Sequence, residues 1–592
     1  MNNNEPHNQN HWLPTSRQEM EKLEWDEADI ILVSGDAYID HPSFGTAILG
    51  RLGEKMGLKV AVLPQPNWRD DLRDFKKLGK PRLFFGVTAG NMDSMVNHYT
   101  ALKRLRSNDN YTPGGKAGFR PDYATIVYTK ILKKIYPDTP VIIGGIEASM
   151  RRLTHYDYWS DSVKPSILLE SGADMLVYGM AEQPFMQIIE LLNRGAPLSS
   201  LQNILQTSFP VKNTENLQSL KNVDTVHLPS HEQCKKSKKD FAKAFKIIEE
   251  SSNLVNQPRL IQKTGELSVV VNPSYPAPKE KKIDDFFDLP FTRLPHPRYK
   301  NKPAIPAYEM IKHSVTLHRG CFGGCSFCTI SAHQGKFIAS RSERSILDEL
   351  KKISQMEDFK GHVTDLGGPT ANMYKMAGFN KTTCLKCMRA SCIFPDTCKN
   401  LNFDHKPLID IYKKASSIKE IKKITIGSGV RYDMLVKKTR EQTKNFSLDK
   451  YTRLLITNHV SGRLKVAPEH ASDKVLQLMR KPPFTYYVEF DKMYRKICKE
   501  NALRQEIVPY FITGHPGSTE LEIKTLNKII SDYRFDERLV QEFTPTPMTL
   551  ATTFYYTGID PFTGKNIYTP KTPEQKRKQK KYFIQKKNEK KR

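Results

Sequence analysis

The sequence predicts an α/β protein made of a doubly wound parallel sheet followed by a partial (β/α)6 barrel of the TIM type. The chain has 592 residues, too many for one core of ordinary size, so we expect roughly two or three domains. From Ala28 to Arg194, short apolar runs alternate with amphipathic stretches, as in parallel strands joined by helices. A second series of this kind begins near Ala304 and extends over about 250 residues, the length of a barrel.

Each element of the first series has its own signal. Apolar runs that end in glycine or proline predict buried strands at Ala28–Gly35, Leu58–Pro66, Arg82–Gly90 and Pro140–Gly145. Helical spacing of apolar residues predicts helices at Ser43–Gly57 and Asp122–Pro137, and a strand that enters a helix at Ala173–Arg194. In a doubly wound sheet, ligands bind at the carboxyl ends of the strands.

The barrel strands are predicted in the same way. We expect them within Glu309–Gly320, Gly361–Tyr374, Lys422–Leu435, Gly462–His470 and Ile507–Glu520, with Glu542–Gly558 closing the core. Composition then divides the chain into segments. These are a polar N-terminus (1–27), the doubly wound domain (28–200), a basic helix with a proline-rich connector (201–303), the barrel (304–560) and a basic tail (561–592).

The net charge of the chain is +28, which raises nucleic acid as a partner. The tail from Lys571 to Arg592 contributes 11 basic against 2 acidic residues, so nine of these charges belong to a solvated end. An RNA or ribosomal substrate is therefore an expectation from the electrostatic footprint alone.

Neither a signal peptide nor a membrane span is expected. The first 22 residues are polar, and no stretch approaches the roughly 18 consecutive apolar residues of a spanning helix. The nine cysteines occur mostly in clusters, which indicates metal ligation in a reducing compartment rather than disulfides. We expect a cytoplasmic protein.

Three cysteines stand within eight residues of one glycine-bearing loop: Cys321, Cys325 and Cys328, spaced C-x3-C-x2-C. Three thiolates on a short loop bind three irons of a [4Fe-4S] cluster and leave the fourth iron without a protein ligand. An iron with an open position is a reactive site. The alternative, a structural zinc loop, needs a fourth ligand, and none lies next to this motif.

This spacing, with the aromatic Phe327 directly before the last cysteine, resembles the signature of the radical SAM superfamily. The resemblance implies that S-adenosylmethionine (SAM) chelates the open iron through its amino and carboxylate groups. It also implies that one electron, supplied by a donor of the flavodoxin or ferredoxin type, cleaves the sulfonium to methionine and a 5′-deoxyadenosyl radical. The cofactor carries this chemistry, while the protein positions it and excludes water.

A glycine pair in the second barrel strand extends the resemblance. Gly367-Gly368 matches the Gly-Gly-Glu turn of the superfamily, whose backbone carbonyls bind the amino group of SAM. Pro369 stands where that turn has its acidic residue. Only the backbone role therefore carries over.

Residues near the ends of later strands complete the predicted SAM site. Ser428 and Arg431 have side chains suited to a ribose and a carboxylate, and Glu469 is expected to face the same cavity. The last of these strands resembles the family's adenine-packing turn, which assigns three further residues to cofactor binding: Gly514, Pro516 and Gly517.

A second cysteine set interrupts the barrel: Cys384, Cys387, Cys392 and Cys398, spaced C-x2-C-x4-C-x5-C. Four thiolates within 15 residues suit a structural zinc or an auxiliary iron–sulfur cluster. Zinc sites commonly pair two C-x2-C knuckles, and only the first pair here is one. Both metals stay open at this point.

The N-terminal domain resembles the flavodoxin-like, cobalamin-binding domains that precede many radical SAM barrels. Gly144-Gly145 and the turn at residues 179–182 stand where those domains have glycine turns. Their cobalt-ligating histidine lies in Asp-x-His-x-x-Gly, whereas here Asp36, Asp40, His41 and Gly45 have a different spacing. The sequence therefore favours a domain that shapes the substrate site, or is vestigial, over one that binds cobalamin.

Taken in order, these motifs resemble the YgiQ-type radical SAM proteins from Ala28 to about Pro570. The leading hypothesis is a radical SAM enzyme that acts on an unknown, macromolecular or small, substrate. The alternatives are a cobalamin-dependent radical SAM methyltransferase and a non-catalytic nucleic-acid-binding protein whose cysteines hold zinc.

Overall fold

A computed structural model describes residues 11–436, 447–536 and 539–584 of the chain. The chain separates into two compact units. The first contains the chain up to Lys236 together with Asn256–Pro276 and Lys282–Lys312. The second contains Ser237–Val255, Ala277–Lys281 and the chain from His313 onward.

The first unit is built on a nine-stranded sheet. Its strands are β1 (Ile30–Ser34), β2 (Val60–Pro64), β3 (Phe84–Thr88), β4 (Val141–Gly144), β7 (Met175–Val177), β8 (Thr207–Val211), β9 (Thr225–His227), β10 (Arg259–Thr264) and β11 (Leu267–Val271). A separate antiparallel hairpin consists of β5 (His155–Asp157) and β6 (Ser162–Lys164). The strand order of the sheet is β2-β1-β3-β4-β7-β8-β11-β10-β9.

The first five strands in this order are parallel, which is the doubly wound arrangement that the sequence predicts. Each predicted strand up to residue 194 is present, shortened by one or two residues at its ends. These strands are buried along nearly their whole length. That burial on both faces explains why they read as continuous apolar runs rather than as alternating patterns.

The sheet continues past the boundary expected at residue 200. Residues 201–303, expected as a helix and a connector, also contribute strands β8 to β11. The stretch from Gly265, read as extended connector, in fact begins with a hairpin: Thr264 pairs with Leu267 across a two-residue loop. Gly265 takes φ +57° there, the left-handed conformation that two-residue hairpin loops favour.

The second unit is a partial barrel of short strands. They are β12 (Ser314–Thr316), β13 (His318–Arg319), β14 (Ala339–Ser340), β15 (His362–Val363), β16 (Asp365–Gly367), β17 (Ala377–Gly378), β18 (Leu401–Asn402), β19 (Lys423–Ile424), β20 (Arg463–Glu469), β21 (Glu506–Thr513) and β22 (Val540–Glu542). The pairs β12–β16, β15–β19, β20–β21 and β21–β22 are all parallel. The chain therefore passes six times in one direction, as in a (β/α)6 barrel.

The first barrel strand is shorter than predicted. Residues 309–311, expected at its start, belong to the helix Pro306–Ile311, which begins with proline at a position that tolerates its missing N–H. The barrel core is apolar and continuous around Leu317, Leu366 and Val466. Strand β12 thus ends at residue 316, five residues before the first cysteine of the loop.

Helices surround these strands. Before residue 313 they are Arg17–Lys22, Gly45–Lys55, Arg73–Lys76, Ser94–His98, Ala124–Ile135, Gly145–Met150, Ile167–Ser171, Glu182–Asn193, His231–Lys236, Lys238–Asn253, Glu280–Phe287 and Pro306–Ile311. After it they are Ile330–Gln334, Glu343–Ser354, Lys381–Leu385, Lys406–Ser416, Leu448–Asn458, Asp473–Met479, Phe484–Glu500, Glu520–Asp532, Leu550–Thr557 and Pro573–Ile584. Within the described residues, none of the helices has the length and apolar character needed to cross a membrane.

Candidate active site

The cysteine loop follows the carboxyl end of strand β12. The short antiparallel pair β13–β14 closes it at its base, where His318 pairs with Ser340 and Arg319 with Ala339. Inside the loop, the N–H of Cys321 donates to the carbonyl of Gly335 (3.1 Å). Cys321, Cys325 and Cys328 are all half-buried and free of disulfides. The loop therefore holds three thiols at the end of the barrel where ligands bind in parallel α/β folds.

A buried arginine contacts this loop. Nη1 of Arg431 lies 3.5 Å from Sγ of Cys325, and its other guanidinium nitrogens form a two-pronged ion pair with Asp433 (2.9 and 2.7 Å). Gly323 leaves room for this contact, since a Cβ there would lie 2.7 Å from Arg431 Nη1 and 3.3 Å from Cys321 Sγ. A fixed positive charge thus stands beside the thiol of Cys325.

The thiols influence one another. Burial raises the pKa of Cys321. Burial also raises the pKa of Cys328, and with the charges of Cys325 and Cys321 that pKa reaches about 12. Although burial alone lowers it, the charges of Asp433, Cys325 and Cys321 hold the pKa of Arg431 well above its usual range. Two of the three cysteines, Cys325 and Cys321, therefore lie within electrostatic range of this guanidinium.

Across the described residues, no group of three or more His, Cys, Asp or Glu side chains is arranged to hold a metal ion. Thr370 adds a polar contact at this loop, with its Oγ1 3.5 Å from Cys321 Sγ.

The predicted SAM turn lies beside the first strand. Gly367 pairs with Thr316 in the parallel register of β12 and β16, and its carbonyl accepts the N–H of Leu317 (2.7 Å). A Cβ at Gly368 would lie 2.6 Å from the imidazole of His318. That ring is fully buried, and both its nitrogens lack a hydrogen-bond partner. Burial lowers the pKa of His318 to about 3, so the ring is neutral. Buried polar atoms without a hydrogen-bond partner are uncommon in folded proteins.

Ser428 and Arg431 have partners other than those expected. The hydroxyl of Ser428 donates to Asp365, which also accepts the N–H groups of Gly427 (2.9 Å) and Ser428 (3.2 Å). Arg431 faces Cys325 and Asp433 instead of an open cavity. The prediction that these two side chains contact a ribose and a carboxylate stays a prediction.

Glu469 lies among the charged groups of this site. Its backbone has φ +70°, a conformation uncommon for residues other than glycine, and a register shift between Val466 and Glu469 accompanies it. Burial raises the pKa of Glu469, and its nearest cation is the buried Lys481 at 3.7 Å. The charge of Glu469 also raises the pKa of Cys328. This buried glutamate and lysine therefore stand within electrostatic range of the cysteine loop.

The remaining predicted residues cluster around a histidine that sequence reasoning did not single out. The ring of Phe327 meets His515 edge to face at 6.1 Å, and the Oγ of Ser326 lies 3.4 Å from Nε2 of His515. Pro516 accepts a hydrogen bond at its carbonyl from Nδ1 of His515 (2.8 Å). Gly514 and Gly517 flank this turn. The turn therefore contacts the cysteine loop through Phe327 and Ser326.

Comparison with known proteins identifies the family. Residues 12–314 match the family described as Radical SAM N-terminal, and residues 315–529 match the Radical SAM superfamily. A UPF0313 protein of Porphyromonas gingivalis is 56% identical over 573 residues, covering 97% of this chain and 90% of the relative. A UPF0313 protein of Bacteroides thetaiotaomicron is 54% identical over 584 residues, with coverages of 97% and 94%. The chain belongs to the UPF0313 family of radical SAM enzymes.

This membership confirms the YgiQ-type resemblance and the prediction of an enzyme, and it contradicts the alternative of a non-catalytic zinc protein. Among solved structures, the chain is similar to the radical SAM methyltransferase TsrM of Kitasatospora setae with cobalamin and a [4Fe-4S] cluster bound, with TM-score 0.44 and 13% identity over 88% of this chain and 74% of that one. It is also similar to the cobalamin-dependent enzyme OxsB, with TM-score 0.45 and 12% identity over 85% and 52%. Similarity this low does not indicate which ligands this chain binds.

In this UPF0313 protein, the crevice of the N-terminal sheet is filled by its own side chains. Arg120 is fully buried there between Asp36 (2.9 Å) and Asp109 (2.8 Å), and it also donates to the carbonyl of Ala89 (2.7 Å). These residues follow the carboxyl ends of β1 and β3, the position where doubly wound sheets bind their ligands. An ion cluster of the chain itself takes this place.

His41, the candidate cobalt ligand, is also engaged. Its Nδ1 accepts the N–H of Ser43 (3.1 Å), and its Nε2 lies 2.8 Å from Nη2 of Arg293. Burial, and the charge of Arg293, lower the pKa of His41 well below its usual range. With both ring nitrogens held inside the unit, this histidine offers no free ligand atom. Cobalamin-dependent methyl transfer stays a prediction that no feature of this crevice supports.

Sequence reasoning missed several polar residues of the site: Asp433, Lys481, Thr370, His318 and His515. Two of them carried a local signal, since Asp433 follows Arg431 at i+2 and Thr370 follows the Gly-Gly-Pro turn. His318 precedes the first cysteine by three residues. No local sequence signal identified Lys481, because only the packing of the fold brings it next to Glu469.

Proposed function

We propose that this protein binds a [4Fe-4S] cluster at Cys321, Cys325 and Cys328 and uses it to cleave SAM reductively. The observation that carries the proposal is the buried Arg431, whose guanidinium lies 3.5 Å from Sγ of Cys325. Asp433 holds this guanidinium in place, so a fixed positive charge stands beside a ligand of the proposed cluster. When bound, the cluster and SAM supply the one-electron cleavage of the sulfonium to methionine and a 5′-deoxyadenosyl radical.

The residues of the chain have separate tasks in this proposal. The cysteine loop holds the cluster and leaves one iron open. The Gly367-Gly368 turn orients the amino group of SAM through backbone atoms, and the unpartnered ring nitrogens of His318 lie beside that turn. Burial of Glu469 and Lys481 (8% and 5% exposed) keeps water away from the charged groups near Cys328.

The experiment is anaerobic reconstitution of the full chain, reduction with dithionite, and measurement of 5′-deoxyadenosine formed from SAM. We expect formation by the native chain and none by the Cys321→Ala, Cys325→Ala or Cys328→Ala variants. Cys498→Ala is the matched control, since this buried cysteine lies on the helix Phe484–Glu500 away from either cysteine set. A native chain that holds its cluster but does not bind SAM would refute the proposal.

For the substrate, we propose a macromolecule with a phosphate backbone, such as RNA or ribosomal RNA. The support is the net charge of +28, of which +19 remains after the basic tail is subtracted (28 − 9 = 19). Binding to RNA should weaken steeply as salt rises, because counterions are released when lysines neutralise phosphates. Weak binding that is independent of salt would favour a small-molecule substrate.

A further inference from the structure

The second cysteine set lies on a loop with a fixed base. Strands β17 and β18 pair antiparallel, with Ala377 opposite Asn402, and so bring the two ends of the loop together. Asn400 clamps the start of the loop: its Oδ1 accepts the N–H of Asn380, and its Nδ2 donates to the carbonyl of Asn380 (both 2.8 Å). The same Nδ2 lies 3.3 Å from Sγ of Cys384. This loop is therefore a built structure and not a loose insertion.

Backbone hydrogen bonds join the four cysteines of the loop in two pairs. The N–H of Cys398 donates to the carbonyl of Cys392 (2.8 Å), and the N–H of Cys387 to that of Cys384 (3.2 Å). All four are free of disulfides.

A buried ammonium faces these thiols without an acidic partner. Lys336 is 5% exposed, and its Nζ donates to the carbonyls of Asn253 and Arg389 (both 2.8 Å). Among the described residues no carboxylate forms an ion pair with it. A buried charge is unfavourable when it is left uncompensated. Arg389 stands between Cys387 and Cys392, so this ammonium lies against the loop that carries the four thiols.

The second loop rests directly on the first. The N–H of Cys392 donates to the carbonyl of Phe322 (3.0 Å), the residue next to Cys321. The hydroxyl of Ser391 donates to the same carbonyl (3.3 Å). One hydrogen bond thus links a cysteine of the second set to the neighbour of a cysteine of the first.

We propose that Cys384, Cys387, Cys392 and Cys398 bind a second, fully cysteine-ligated [4Fe-4S] cluster that passes single electrons to the cluster of the first loop. Zinc has no redox chemistry, so a zinc site would gain nothing from this direct connection. In the step itself, the reduced second cluster loses one electron and the oxidised first cluster gains it, with no bond made or broken. An external one-electron carrier then reduces the second cluster again. The transfer rests on the proposed function; the metal site does not.

The surface of the second loop suits an acidic carrier. Three large apolar side chains are exposed there, Phe379 (62%), Leu385 (43%) and Met388 (50%). Between residues 379 and 399 the chain has four basic residues and one acidic residue. An apolar patch ringed by positive charge is complementary to a small acidic electron carrier of the flavodoxin type.

The metal site is tested by iron, sulfide and zinc analysis of the full chain after anaerobic reconstitution. We expect about eight irons in the native chain and in Cys498→Ala, and about four when Cys321, Cys325 and Cys328 are all changed to Ala. Zinc, or no metal, in that triple variant would overturn the proposal. Because SAM cleavage plays no part in this measurement, its outcome is independent of the proposed function.

Lys336→Met tests the electrostatic arrangement in the same triple variant. The iron content should stay the same, while the midpoint potential of the remaining cluster should shift downward, since a positive charge stabilises the more negative reduced state. An unchanged potential would contradict the role of Lys336.

Electron transfer is tested in the full chain with the Lys336→Met change alone. SAM cleavage driven by reduced flavodoxin should fall severalfold, whereas cleavage driven by dithionite, which reaches the first cluster directly, should change little. An equal loss of SAM cleavage with both reductants would refute the transfer step. SAM cleavage at the native rate with both reductants would refute it as well.

Discussion

The ion pair between Arg431 and Asp433 permits a quantitative test of the site. The two side chains are 10% and 6% exposed, and their two-pronged contact has distances of 2.9 and 2.7 Å. Replacing Arg431 by Met removes the cation and leaves a buried carboxylate without its partner. Loss of one member of a buried ion pair costs about 3–5 kcal/mol. Because Lys481 also acts on Asp433 and lowers its pKa, we expect a loss at the lower end of that range.

The assay is urea unfolding of the metal-free chain, which separates this loss from any effect of the cluster. Asp433→Leu should cost a similar amount, and the double variant Arg431→Met/Asp433→Leu less than the sum, with a coupling of about 2 kcal/mol. The matched control is Arg463→Met, because this arginine and its partner Glu506 are both exposed (75% and 61%). That change should cost less than about 1 kcal/mol.

A second measurement follows the first cluster. Arg431→Met should lower the midpoint potential of the cluster at the first loop, because the guanidinium beside Cys325 favours the reduced, more negative state. If Arg431→Met left both the urea midpoint of unfolding and the midpoint potential of the cluster unchanged, that result would show that the pair neither stabilises the fold nor acts on the site.

Three further predictions concern other residues. Gly324→Ala should lower iron content at the first loop, because Gly324 has φ +61° and a Cβ would clash with the carbonyl of Ala390; iron analysis checks this. His318→Phe should weaken SAM binding by about tenfold, the loss of one polar contact, without loss of iron; equilibrium binding measures it, and unchanged affinity would exclude the contact. Burial raises the pKa of Asp36 to about 6, so its contribution to stability is largest at low pH and is lost as pH rises towards 6; Asp36→Asn should flatten that fall in urea midpoints between about pH 4 and 6.

Much of the architecture was predictable because its signals are local. A parallel strand buried on both faces is a run of apolar residues, and a helix has a repeating apolar face, so four strands of the first sheet and most barrel strands were found within a few residues. Strands β10 and β11 were missed because proline-rich flanks dominated the reading of that region. The glycine of their two-residue loop was a signal that could have identified the hairpin.

The candidate site also combines features that local sequence signals predict with features that they do not. The spacing of Cys321, Cys325 and Cys328 lies within one loop, so the sequence by itself predicted a [4Fe-4S] site and identified the family. The partners of that loop lie far along the chain: Arg431 is 106 residues from Cys325. Local sequence periodicity cannot predict a contact between residues so far apart in the chain.

Only the tertiary structure decided which buried charges meet. Arg120 lies between Asp36 and Asp109, Arg431 contacts a cysteine, and Lys336 lies within electrostatic range of three. The physical reason is desolvation. A charged side chain in the interior must find a counter-charge or several polar partners, and which one it finds depends on how distant segments pack. The amino-acid order places three cysteines in one loop, whereas the fold selects the charges that stand beside them.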